Sequence, residues 1–202
     1  MMEYLGKKIE TVILDIGNVL IDFAWEAYLA SFQYSSEMYE TVADAMFRNE
    51  DWCMGDSGLV TTGQWLELFI ENAPEAEPQI REVFADFGRS IVPYPFTEEW
   101  IRHLRGQGVR LYYLSNYSEE MYRQSKEQLS FLRMLDGGIF SWKERLMKPD
   151  PAIYSLLIRR HGITPENAVF FDDCRKNVEA ARNSGLNAVL FTTDIPLRML
   201  EK

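Results

Sequence analysis

The chain has 202 residues, 47% hydrophobic and 26% charged, a globular composition that excludes collagen-like, low-complexity and disordered classes. Twenty-one Lys and Arg against thirty-one Asp and Glu leave a formal charge of −10, which disfavours nucleic acid and anionic membrane as partners, because both are bound through clustered cations. Cys53 and Cys174 are too few for a disulfide framework, no apolar run reaches the ~18 residues of a spanning helix, and the opening segment 1–8 lacks the apolar stretch of a secretory signal, so the expectation is a soluble, cytoplasmic protein.

Thr11-Val12-Ile13-Leu14 is a short apolar run suited to a strand buried on both faces. From Asp22 to about Ile91 the pattern is helical, with no convincing strand. Trp25, Tyr28, Leu29 and Phe32 mark one helix, and Met38, Val42, Ala45 and Met46 a second. A third carries Trp65, Leu66, Phe69 and Ile70, and a fourth Ile80, Val83, Phe84 and Phe87. Four short helices placed after the first strand predict a small bundle of their own. Within it, Trp52-Cys53-Met54-Gly55-Asp56-Ser57-Gly58 reads as a Gly-bearing turn that joins helices, and Pro93 and Pro95 punctuate the return to the main body. Three more buried runs follow: Val109 to Leu114, Ala168 to Phe171 and Ala188 to Phe191. Between the last two, a helix from about Arg175 to Ser184 ends at Gly185. Before them, Asp150 is an N-cap with Pro151 at the first helical position, and Arg159, Arg160 and His161 fill the last turn before Gly162. The alternation predicts a parallel sheet covered by helices on both faces.

Ligands of parallel α/β sheets bind beyond the carboxyl ends of the strands. Asp15-Ile16-Gly17-Asn18 follows the first run, Ser115-Asn116 the second and Asp172-Asp173 the third, while Lys148 immediately precedes a helix. Three carboxylates on one rim repel one another unless a cation lies among them, and hard oxygen ligands favour Mg²⁺.

These four motifs, in this order, resemble those of the haloacid dehalogenase (HAD) superfamily. Val12 to Leu20 is similar to its first motif, Leu114-Ser115-Asn116 to its second, Lys148-Pro149-Asp150-Pro151 with Ile153-Tyr154 to its third, and Phe170 to Asp173 with Asn177, Ala180, Ala181 and Gly185 to its fourth. The resemblance covers essentially the whole chain. It implies a Rossmann-like, doubly wound α/β core of residues 1–21 and 93–202, with a small α-helical (C1-type) cap of four helices at 22–92. It also implies residue roles. Asp15 attacks phosphorus and Lys148 neutralises the nucleophile and the phosphoryl group. Ser115 and the backbone at Asn116 bind phosphate oxygens, with Asn18 in the same phosphate cradle. Mg²⁺ is held by Asp15, the backbone carbonyl of Gly17 and Asp173, with Asp172 binding directly or through water. The reaction implied is hydrolysis of a small phosphorylated metabolite, with no nucleic acid or membrane partner.

One position departs from the pattern. The family's hydrolase pattern usually has a second Asp two residues after the nucleophile, which protonates the leaving alcohol and later activates water; here that residue is Gly17, followed by Asn18. General acid–base help is typically worth ~10²–10⁴ in rate. Its loss leaves three readings open: a phosphatase whose substrates, such as anomeric, acyl or aryl phosphates, leave easily or borrow a proton from the cap or a water; a phosphate-ligand binder or regulator without turnover; and a 2-haloacid dehalogenase, for which the Asp172-Asp173 pair has no evident use. In the cap, Trp52 and Asp56 are candidates for substrate choice, through stacking and hydroxyl recognition. His103 and His161 read as structural, and Cys174 as a buried, inert thiol.

Overall fold

The computed structural model describes residues 2–4 and 6–201; Met1, Leu5 and Lys202, assigned above to the core, lie outside the described residues. Strands β1 (Met2–Tyr4) and β2 (Lys7–Ile9) form an antiparallel hairpin that the sequence pattern does not reveal, with Gly6 at φ 71°. Then comes β3 (Thr11–Leu14), buried along its whole length. After it, β4 (Ile21–Phe23) leads into an insert of α1 (Trp25–Ala30), α2 (Ser36–Met46), α3 (Trp52–Ser57), α4 (Thr62–Asn72) and α5 (Glu77–Ala85), and β5 (Ile91–Pro93) leads out. The remainder runs α6 (Thr97–Gly106), β6 (Arg110–Ser115), α7 (Glu119–Gln124), β7 (Gly137–Phe140), α8 (Ser141–Glu144), α9 (Pro151–His161), β8 (Ala168–Asp172), α10 (Arg175–Asn183), β9 (Asn187–Leu190) and α11 (Asp194–Leu200).

The sheet is parallel throughout, in the order β7-β6-β3-β8-β9, with Val12 of β3 opposite Leu111 on one side and Val169 on the other. Successive side chains point to opposite faces. Val12, Leu14, Val169 and Phe171 therefore pack with Trp100, Ile101 and Leu104 of α6, while Ile13, Leu114 and Phe170 meet Ile153, Tyr154 and Leu157 of α9 and Val178 of α10. The α6-side cluster does not stop at the sheet. It continues through Val42, Met46, Trp65, Phe69, Ile80 and Phe84, so the insert and one face of the sheet share a single apolar core.

Several expectations need correction. Among the described residues the insert holds five α-helices rather than four, because Trp52–Ser57 is helical and not a turn. Gly55 is there for proximity: a Cβ would run into the Trp65 ring, so the residue that suggested a turn is the one that lets α3 lie against α4. The borders of the insert are not strand-free. Phe23 pairs with Ile91, Asp22 with Val92 and Ile21 with Pro93 in an antiparallel ribbon too short to leave a periodic signal. Strand β7 was hidden by Gly137 and Gly138, the second of which lies directly against Tyr113. Cys174 is exposed, as is Cys53. The ends of α9 behave as expected, with the Asp150 side chain accepting from Ala152 N–H at 2.8 Å and Gly162 left-handed at φ 56°. Among the described residues no helix is long and apolar enough to cross a membrane.

Gly58, at φ 64°, ends α3, and a Cβ there would collide with the carbonyl of Trp142 on α8. Both the backbone and the space demand glycine. Gly58→Ala is expected to cost about 1–3 kcal/mol, read as a lowered midpoint in urea unfolding.

Candidate active site

The loop after β3 is folded tightly on itself. Asp15 N–H donates to Phe171 O at 2.9 Å, which fixes the residue to the end of β8, and Ile16 O accepts from both Leu20 N–H (2.9 Å) and Ile21 N–H (3.1 Å). This reversal puts Asn18 at φ 54°, a left-handed conformation that Asn tolerates better than most residues. Its side-chain amide donates to Asp173 Oδ2 at 3.1 Å, and its carbonyl oxygen accepts from Phe23 N–H at 3.4 Å. Asn18 thus ties the first loop to the last acidic residue and to the insert's entry strand.

Lys148 is buried, with a side chain 1% exposed. Its Nζ lies 2.7 Å from Asp15 Oδ2 and 2.7 Å from Asp172 Oδ2, an ion triad in which Asp172 is fully buried. Asn116 clamps the Lys148 backbone, donating from Nδ2 to its carbonyl at 2.9 Å and accepting its N–H on Oδ1 at 2.8 Å. Asp172 is held in turn by Cys174 N–H at 2.8 Å and by Asn177 Nδ2, 3.1 Å from each carboxylate oxygen. Tyr154 OH donates to Asn177 O at 3.0 Å and so braces α10 from α9.

One carboxylate oxygen from each of Asp15, Asp172 and Asp173 lies within 4.8 Å of the others. Burial pushes the Asp15 carboxyl up to about 8, Asp172 and Asp173 add to the rise, and Lys148 opposes it. For Lys148, burial works against the charge, but Asp15 and Asp172 outweigh it and hold the ammonium above its ordinary range. Burial also raises Asp173, against the donation from Asn18. The cluster is short of positive charge, with hard oxygen donors on hand, so it fits a small divalent cation.

A cavity of about 180 Å³ opens over this cluster, and Asp15, Gly17, Asn18, Asn116 and Asp173 form part of its wall. The insert supplies Trp52 and Asp56 to the same wall, so both specificity candidates are at the site. Trp52 also packs on Phe23 and Phe47, at ring separations of 5.2 and 5.4 Å, and is as much core as wall. Ser115 is not among the lining residues; it is buried, and its hydroxyl donates to Asn116 O at 3.3 Å. Asn116 reaches the cavity, and its side chain also clamps Lys148. Sequence reasoning missed Tyr117 and Ser118 as lining residues. It also gave no role to Asn177, whose placement one helical turn into α10 is the signal that would have found it. His103, on α6, and His161, stacked on Tyr112, stay outside the cavity wall.

A family model for haloacid dehalogenase-like hydrolases matches residues 9–185. The chain belongs to that family. A phosphoglycolate phosphatase from Pseudomonas putida KT2440 is 29% identical over 123 residues, 59% of this chain and 44% of its own, so the chain spans less than half the length of that relative. A phosphorylated carbohydrates phosphatase from Thermotoga maritima is 23% identical over 184 residues, 89% of this chain and 83% of its own. Among solved structures, a HAD family enzyme from Bacteroides thetaiotaomicron has the same fold, with a TM-score of 0.73 at 18% identity over 97% of this chain and 100% of that one. The wild-type form of that enzyme in complex with magnesium and inorganic phosphate gives a TM-score of 0.69.

Removing the ammonium leaves two buried carboxylates facing each other. Lys148→Met is expected to destabilise the protein by about 3–5 kcal/mol, and adding Asp172→Asn to that variant should recover part of the loss. Urea unfolding of wild type, single and double variants measures both.

Proposed function

We propose that the protein is a Mg²⁺-dependent phosphomonoester hydrolase that acts on a small phosphorylated metabolite through an aspartyl phosphate. The observation that carries the reading is the cluster of Asp15, Lys148 and the Asp172-Asp173 pair, of which Asp15 and Asp173 line one small cavity. Relatives named as phosphatases support it. Carbon–halogen hydrolysis would need no cation and would leave Asp173 without a use.

In this reading the Asp15 carboxylate attacks phosphorus, the ester P–O bond breaks and an acyl phosphate forms on Asp15; water then attacks that phosphorus and returns the carboxylate. Such transfer needs positioning and charge neutralisation above all. Lys148 neutralises Asp15 and a phosphoryl oxygen, and Asp172 keeps Lys148 in place. Asp15, Asp173 and the Gly17 carbonyl would hold Mg²⁺, which supplies further charge neutralisation at the phosphoryl group. Both oxygens of Asp172 are taken by Lys148, Cys174 and Asn177, which favours a supporting role for it over direct ligation. Asn18 and Asn116 shape the phosphate cradle, with Ser115 behind them. Residues 22–92 act as the cap over a core of 1–21 and 93–202, and a cavity of about 180 Å³ suits a small substrate.

Phosphate release from a panel of aryl, acyl, anomeric and simple alkyl phosphates tests the reading. Wild type is expected to release phosphate only with Mg²⁺, and Asp15→Asn to lower the rate by ~10⁴ or more. No release from any class would instead favour a phosphate-ligand binder.

A further inference from the structure

Gly17 leaves the reaction one proton short at each step. An alkyl ester leaves as a strong base unless a proton reaches its bridging oxygen, and the attacking water must later give one up. The backbone does not forbid a side chain at position 17: its φ is not in the left-handed region, and a Cβ there would have no heavy atom within 4 Å. The acid is therefore absent from a place with room for it, which raises the question of where in the cavity the proton comes from.

Most groups in the wall are already committed. Asp15 attacks, and Asp173 lies in the acidic cluster and accepts from Asn18. Ser118 caps α7, accepting from Met121 N–H at 3.1 Å, and Tyr117 OH shares a hydrogen bond with Ser125 while burial pushes its phenol well up. Asp56 is different. Among the described residues no hydrogen-bond donor meets its carboxylate, yet its backbone is pinned. Ser141 Oγ donates to Asp56 O at 2.6 Å, and the same hydroxyl accepts from Tyr117 N–H at 2.9 Å. With Gly55 against Trp65 and Gly58 against Trp142, the short helix that carries Asp56 is wedged between insert and core. An anchored backbone with an uncommitted carboxyl in the wall is what a proton carrier requires.

We propose that Asp56 is the general acid–base of this site, supplied by the insert in place of a residue at position 17. The proposal rests on the phosphoryl-transfer reading above. As Asp15 attacks, protonated Asp56 gives its proton to the bridging ester oxygen while the P–O bond breaks, so the alcohol leaves neutral and Asp56 becomes a carboxylate. As water attacks the aspartyl phosphate, Asp56 takes the water's proton, the P–O bond to Asp15 breaks and its electron pair returns to Asp15. Inorganic phosphate leaves and both groups are reset. Burial pushes Asp56 up to about 7 against the pull of Lys148, with Cys53 and Tyr117 as its other titratable neighbours, and an acid poised there serves in both directions at neutral pH.

Two leaving groups separate this role from a structural one. With Mg²⁺ and a simple alkyl phosphate, Asp56→Asn is expected to lower turnover by ~10²–10⁴. With 4-nitrophenyl phosphate, whose phenolate needs no proton, it should release about one equivalent of nitrophenol per site in a burst and then slow, because the aspartyl phosphate forms but lacks a base for its hydrolysis. Gly17→Asp added to Asp56→Asn should restore alkyl phosphate turnover by tenfold or more. The proposal is overturned if Asp56→Asn handles the alkyl ester at the wild-type rate, or if it slows both substrates equally with no burst and an unchanged thermal midpoint. Wild type inactive on both substrates, or matched by Asp15→Asn, would sink the phosphoryl-transfer reading itself.

Discussion

Lys148 is buried between Asp15 and Asp172 at 2.7 Å from each, and charges placed so deep persist only while their partners stay within hydrogen-bond distance. Much of the site follows from that demand. Asn116 clamps the Lys148 backbone through one amide N–H and its carbonyl oxygen, Asn177 and the Cys174 N–H satisfy Asp172, and Tyr154 holds Asn177 from the neighbouring helix. Three carboxyls crowd one ammonium, and burial pushes Asp15 and Asp173 towards their neutral forms. In the proposed reaction, a cation and a phosphate entering together would relieve that crowding, and the relief would add to their affinity.

The fold delivers these groups by register. Strands β3, β6 and β8 are adjacent and parallel, so their carboxyl ends open on one edge, and Asp15, Ser115 and Asp172 arrive there together. The sheet supplies the acidic groups and the loop before α9 supplies the ammonium. What the sheet does not supply is a lid on the cavity or a proton donor at position 17; the insert brings Trp52 and Asp56 to that side, fixed by Ser141 and by the Gly58–Trp142 contact.

The parts legible in the sequence were those whose residues do one job. Thr11–Leu14 and Ala168–Phe171 are apolar because both faces are covered, and Asp150-Pro151 and Gly162 mark helix ends by capping and left-handed geometry. The parts that misled were residues doing two. Gly55 and Gly58 look like a turn because glycine permits one, whereas here they permit close approach of α3 to Trp65 and Trp142. Gly138 hides an edge strand for the same reason. Asn116 carries a second job that its motif does not show, a side-chain clamp on Lys148, which depends on a partner 32 residues away and leaves no local trace. Three-residue strands such as β4 and β5 are too short for any periodicity to emerge.

The apolar cluster that passes unbroken from the sheet into α2, α4 and α5 has a consequence for how the molecule breathes. Separating the insert from the core would break a cluster that continues beneath the sheet, where α3 packs on α7 and α8. A shared core of this kind favours opening of insert and sheet together over opening of either alone. The short ribbon of β4 and β5 borders the same cavity through Ile21, Phe23 and Ile91, so the join between insert and sheet is itself part of the site.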